Sequence, residues 1–70
     1  MKKVSVKELK TALLSINYHK VDLFIERCLI EEDKIEEDES KLSAETIKDV
    51  AWSMLDIDLE KRLLSNLGIS

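Results

Sequence analysis

The sequence predicts an all-α fold, a small single-domain bundle of three to four helices, on three observations. There is no proline and only one glycine, Gly68. Glu, Lys and Leu abound, and all three favour helix over sheet or disorder. Apolar residues recur at helical spacing along most of the chain. The predicted helices cover about 6–16, 20–37, 44–55 and 57–67 of a single domain, 1–70.

The first helix is announced by Ser5-Val6-Lys7-Glu8, a capping box in which Ser5 accepts from the Glu8 amide and the Glu8 side chain reaches back. Val6, Leu9, Ala12, Leu13 and Ile16 then form its apolar face. Asn17 ends it, because asparagine tolerates the left-handed conformation best after glycine. The second helix starts near His19 or Lys20 and carries Asp22 in its first turn, where the helix dipole favours an anion. Val21, Phe24, Ile25, Cys28, Leu29 and Ile35 share one broad face, with Leu23 and Ile30 nearly opposite. A helix apolar on two sides sits between neighbours, so this one is expected at the centre of the bundle.

Residues 31–39 include seven acids. Negative charge opposes the dipole at a helix C-terminus, so the second helix is expected to fray within this run. Ser40-Lys41-Leu42 makes the connection, and Ser43 caps a third helix with Ile47, Val50, Ala51, Met54 and Leu55 on one face. Leu59, Leu63 and Leu67 point roughly 160° away from the Ile47–Met54 face at the helical period. A break explains that better than one straight helix, and Asp56 is placed to cap a fourth helix with Asp58 and Glu60 in its first turn. Gly68 closes it, with Ile69 able to touch Leu64 as a Schellman motif requires. No repeat, low-complexity linker or second domain is read along the chain.

Size and composition narrow the function. Seventy residues hold one modest core, with little room for a deep substrate pocket and its supporting shells. One cysteine, Cys28, excludes an intramolecular disulfide and fits a reducing compartment, so a soluble cytoplasmic protein is expected. The basic Met1-Lys2-Lys3 start leads into no apolar run, and no apolar stretch approaches the roughly 20 residues a membrane span needs. Net charge is −4, but unevenly spread: residues 1–30 hold six basic and three acidic side chains, and residues 31–60 three basic and twelve acidic. Such lopsidedness concerns partners more than fold.

Catalysis and cofactors are not expected. His19 and Cys28 are the only histidine and the only cysteine, and Cys28 lies on a predicted core face, where a thiol behaves as a small hydrophobe. One Cys and one His cannot complete a four-ligand zinc site. The acidic run lacks the order and the turn glycine of a calcium loop, and a lone glycine excludes phosphate-binding loops. The third and fourth helices have the size of a helix-turn-helix, yet Lys61, Arg62 and Asn66 stand beside Asp58 and Glu60 in the acidic part of the chain. Nucleic-acid binding is therefore disfavoured, since phosphate contacts need a basic face.

Two features carry a functional reading. Glu32, Asp33, Glu36, Glu37, Asp38 and Glu39 form either a docking patch for a basic partner, or DNA-phosphate mimics, or, as the preferred reading, a solvated helix end that aids solubility. Trp52 lies opposite Ile47 and Met54; exposed, it is an interface anchor, while tucked beneath the fourth helix against Leu59 or Leu63, the preferred placement, it is core. The class expected is a non-enzymatic regulatory or inhibitory protein of bacterial or phage type, such as an antitoxin, immunity or anti-defence protein, that binds a larger protein. The alternatives are a DNA mimic or weak DNA-binding regulator, and a self-associating structural subunit. Surplus apolar surface at Leu23, Ile30, Trp52 and Leu63 allows a homodimer.

Overall fold

Two serines decide where helices begin, and each also ends a β-strand. The computed structural model describes residues 2–35, 37 and 39–69. Its elements run β1 (Lys3–Ser5), α1 (Val6–Ser15), α2 (Val21–Glu32), β2 (Lys41–Ser43), α3 (Ala44–Met54) and α4 (Ile57–Leu67). At the head of α1, Ser5 Oγ accepts from the Glu8 amide at 3.1 Å, and Glu8 Oε1 accepts from the Ser5 amide at 3.4 Å, completing the capping box. Ser43 Oγ accepts from the Thr46 amide at 3.2 Å and starts α3 in the same way.

The strands are the main departure from an all-α fold. β1 and β2 pair antiparallel, with Lys3 opposite Ser43, Val4 opposite Leu42 and Ser5 opposite Lys41. Val4 and Leu42 are fully buried beneath the helices. The pairing extends into the helices, as the Val6 amide donates to Ser40 O at 2.9 Å and the Ala44 amide to Lys2 O at 3.1 Å. Both amides belong to first helical residues, which have no partner within their own helix. The expected connection Ser40-Lys41-Leu42 thus runs into the strand β2, with Leu42 in the core.

These contacts expose an internal two-fold that the sequence reading missed. A shift of thirty-eight positions turns Lys2, Val4, Ser5 and Val6 into Ser40, Leu42, Ser43 and Ala44, and maps β1-α1 onto β2-α3. It carries most of α2 onto α4, which starts two positions earlier and has exposed Arg62 and Asn66 where α2 buries Phe24 and Cys28. Under the same shift Leu9 becomes Ile47, Ala12 Val50, Ile25 Leu63 and Leu29 Leu67, all buried. The packing obeys it too: α2 lies against α3 as α1 lies against α4.

The helix ends differ in part from expectation. Asn17 ends α1 at φ 59°, with the Tyr18 amide donating to Leu13 O at 3.1 Å. Gly68 ends α4 at φ 70°, with the Ile69 amide donating to Leu64 O at 2.8 Å, the expected Schellman geometry. α2, expected to about residue 37, stops at Glu32. Asp33 turns left-handed at φ 55° and the Lys34 amide donates to Leu29 O at 3.0 Å, so a Schellman bond closes the helix before the acidic run. Ile35, expected on the core face of this helix, lies beyond it and is exposed.

α2 is also not apolar-packed on two sides. Phe24, Ile25, Cys28 and Leu29 are buried, while Leu23 and Ile30 face solvent. One core, contributed by both halves, takes the place of a bundle around a central helix. Leu63, expected to be surplus apolar surface, is fully buried in it.

The break before α4 is present. Leu55 is extended (φ −110°, ψ 153°), and Asp56 Oδ1 accepts from the Leu59 amide at 2.8 Å. Asp56→Ala removes this cap and is expected to lower stability by about 1 kcal/mol. In one continuous helix the same change would instead raise stability slightly. The sign of the shift in melting temperature checks the assignment.

Candidate protein-interaction surfaces

The described members of the acidic run are placed differently from one another. Glu32 is mostly buried and structurally engaged: Oε2 accepts from the Ser43 amide at 2.8 Å, and Oε1 lies 3.3 Å from Lys34 Nζ. Lys34 Nζ in turn donates to Lys41 O. Burial alone raises the Glu32 pKa, but the Ser43 amide, the Thr46 hydroxyl and the Lys34 ammonium outweigh it and hold the carboxyl below its ordinary range. Glu32 thus joins the end of α2 to the start of α3. Asp33 serves as the left-handed cap of α2, and Glu37 and Glu39 are exposed, with Glu37 O accepting from the Ser40 amide at 3.0 Å. Glu36 and Asp38 lie outside the described residues.

Trp52 is placed by α3 and is not core. The buried face of this helix is Ile47, Val50 and Ala51, which turns Trp52 outward, 76% exposed. α4 does not cover it, because the extended Leu55 swings the chain so that Leu63 and Leu67 join the shared core. Ile57, at the head of α4, is 62% exposed and lines one shallow cleft with Trp52, of about 560 Å³. Asp56, Asp58 and Glu60 line the same cleft. Glu45 and Asp49, seven and three residues before Trp52, are exposed on the same side of α3, with the half-buried Lys48 among them. The sequence reading missed Ile57, whose signal was its position directly after the Asp56 cap.

A second apolar surface lies where α1 meets α2. Leu14 is 64% exposed and Leu23 46%, and they share a cleft of about 520 Å³ with Lys10, Lys20 and Asp22. Tyr18 forms its floor, buried and edge-on to Phe24 at 6.2 Å, and this burial raises its phenol pKa. A groove of about 670 Å³ runs between α1 and α4, lined by Lys2, Lys7, Glu8, Ala12, Ser15, Asn66 and Leu67 among others. Asn66 Nδ2 donates to Ser15 Oγ across these helices at 3.2 Å.

Cys28 is fully buried, and desolvation, then Glu32 and Glu31, push its thiol pKa up to about 12. Such a thiol is protonated and inert at neutral pH. Among the described residues no group of three or more His, Cys, Asp or Glu side chains could hold a metal ion, and no helix is long and apolar enough to cross a membrane. No protein-family model, curated protein or solved structure matches this chain.

Two outcomes are expected. A thiol reagent should label Cys28 slowly in the native protein and quickly in denaturant; rapid native labelling would contradict its burial. Glu32→Gln should cost about 1–2 kcal/mol at neutral pH. A carboxyl with a lowered folded pKa stabilises above its ordinary value, 4.5 for glutamate, and loses that contribution as pH falls through the folded value. The gap in melting temperature between wild type and Glu32→Gln should therefore close on acidification.

Proposed function

We propose that this protein is non-enzymatic and acts by binding a larger protein, as a small regulatory or inhibitory protein of bacterial or phage type. The observation that supports this reading is the exposed Trp52–Ile57 pair, set in carboxylates at the α3–α4 junction. A bulky aromatic held in solvent by a rigid helix loses little conformational freedom on binding, and tryptophan is enriched among residues that dominate interface energies. The carboxylates around it favour a partner whose surface is apolar at its centre and basic at its rim, because complementary charge speeds encounter and selects partners. Antitoxins, immunity proteins and anti-defence proteins work by this kind of blocking contact. A reducing, cytoplasmic setting suits a chain with one unpaired, buried thiol.

The acidic connection is the lesser contributor on this reading. Glu32 serves the fold, which leaves the exposed Asp33, Glu37 and Glu39 as its described members available to a partner.

The test is capture from an extract of the native host, identification by mass spectrometry, and titration of the purified pair. Trp52→Ala should weaken binding tenfold or more while changing stability by no more than about 0.5 kcal/mol, as expected for an exposed side chain. Replacing Glu36, Glu37 and Asp38 by Gln, Gln and Asn should slow association only modestly. Full binding by Trp52→Ala would overturn the reading. A tenfold loss in the triple variant would return the site to the acidic run.

A further inference from the structure

The internal two-fold places the two apolar clefts at equivalent positions, and their charges are opposite. The shift that superposes Val4 on Leu42 also carries Leu14 onto Trp52, His19 onto Ile57 and Lys20 onto Asp58, so the two clefts occupy equivalent places, while Leu23 falls on Lys61. Exposed Lys7 becomes exposed Glu45, and exposed Lys20 becomes exposed Asp58. Thr11 becomes Asp49 and Tyr18 becomes Asp56, adding acid on one side only. Lys10 with Lys48, and Asp22 with Glu60, keep their sign. One face is therefore an apolar cleft with a basic rim, and its counterpart an apolar cleft with an acidic rim.

We infer that these faces fit each other between copies, so that the Trp52–Ile57 face of one chain docks on the Leu14–Leu23 face of a second chain, head to tail. Charge complementarity argues for this occupant. Two Trp52 faces brought together would set their carboxylates against one another, whereas the basic face offers an apolar centre of similar size and the cations Lys7 and Lys20 where Glu45 and Asp58 stand. Like-charge juxtaposition is costly and opposite charge fixes register. Such an interface is heterologous: each copy uses both of its faces, and association continues into a ring or a chain unless something occupies one of them. The inference goes beyond the proposed function and uses the same tryptophan, so a larger partner and a second copy would compete for it.

Analytical ultracentrifugation of the full chain tests this, with Leu14→Glu and Trp52→Glu as variants. Both side chains are exposed, and circular dichroism should show that each variant keeps its helices. Wild type should gain average mass with concentration up to about 1 mM, and lose it as salt rises from about 0.05 to 0.5 M. Each variant alone should be monomeric, its self-association weakened tenfold or more. Mixed, they should form a dimer and nothing larger, since Trp52→Glu keeps an intact Leu14 face and Leu14→Glu an intact Trp52 face. Lys20→Glu and Asp58→Lys should each weaken self-association when alone, without removing apolar area, and mixing the two should restore it through the swapped charges. A wild type that stays monomeric would overturn the inference, and so would a Leu14→Glu variant that dimerises alone through Trp52. Neither result touches the proposed function, which fails only if loss of Trp52 leaves binding of the larger partner intact.

Discussion

Everything in this domain hangs on the pairing of two three-residue strands. Val4 and Leu42 face each other at its centre, with Ser5 and Ser43 beside them starting a helix each. Because the strands cross next to those caps, the amides of Val6 and Ala44 donate to Ser40 and Lys2 of the opposite strand. Helix starts normally leave such amides to water. The sheet thus fixes where α1 and α3 begin and how they face each other, and α2 and α4 then close over the core from opposite sides.

Much of the helical layout was legible because it is written in local chemistry. Ser5 with Glu8, Ser43, Asp56, Asn17 and Gly68 are short-range signals, and each does what its side chain or backbone freedom suggests. α4 runs as read, and α1 and α3 each stop one residue earlier than read. The strands were not legible, since three residues are too few for an alternating pattern to stand out from helical periodicity. A signal did exist: Lys3-Val4-Ser5-Val6 and Lys41-Leu42-Ser43-Ala44 are one pattern, lysine, apolar, serine, apolar, repeated before each helix. Charge obscured it, because substitutions such as Lys7 to Glu45 make the two halves look unrelated.

The misplacement of Trp52 has a specific cause. A helical wheel puts it opposite Ile47, and Leu59, Leu63 and Leu67 offered a plausible cover. What the wheel cannot show is the direction in which the chain leaves α3. The extended Leu55 turns α4 back onto the shared core, so its leucines meet α1 and the buried side of α3. Non-local geometry also decided the acidic run. Glu32 looked like one more solvated acid, yet it bonds to the Ser43 amide, eleven residues away, and Asp33 ends the helix by adopting a left-handed backbone.

The distance along the chain between the two strands bears on how the molecule assembles. α1 and α2 both lie between β1 and β2, so the sheet can close only after a long loop has been brought together, and that loss of entropy comes before any strand bond repays it. Each helix pair has its own caps and turn, and the hydrogen bonds inside its helices need no distant residue. The strands, each lacking a neighbour within its own half, do. They act as a latch between the two helical halves, and until the latch closes the one core that both halves share cannot cover Val4 and Leu42.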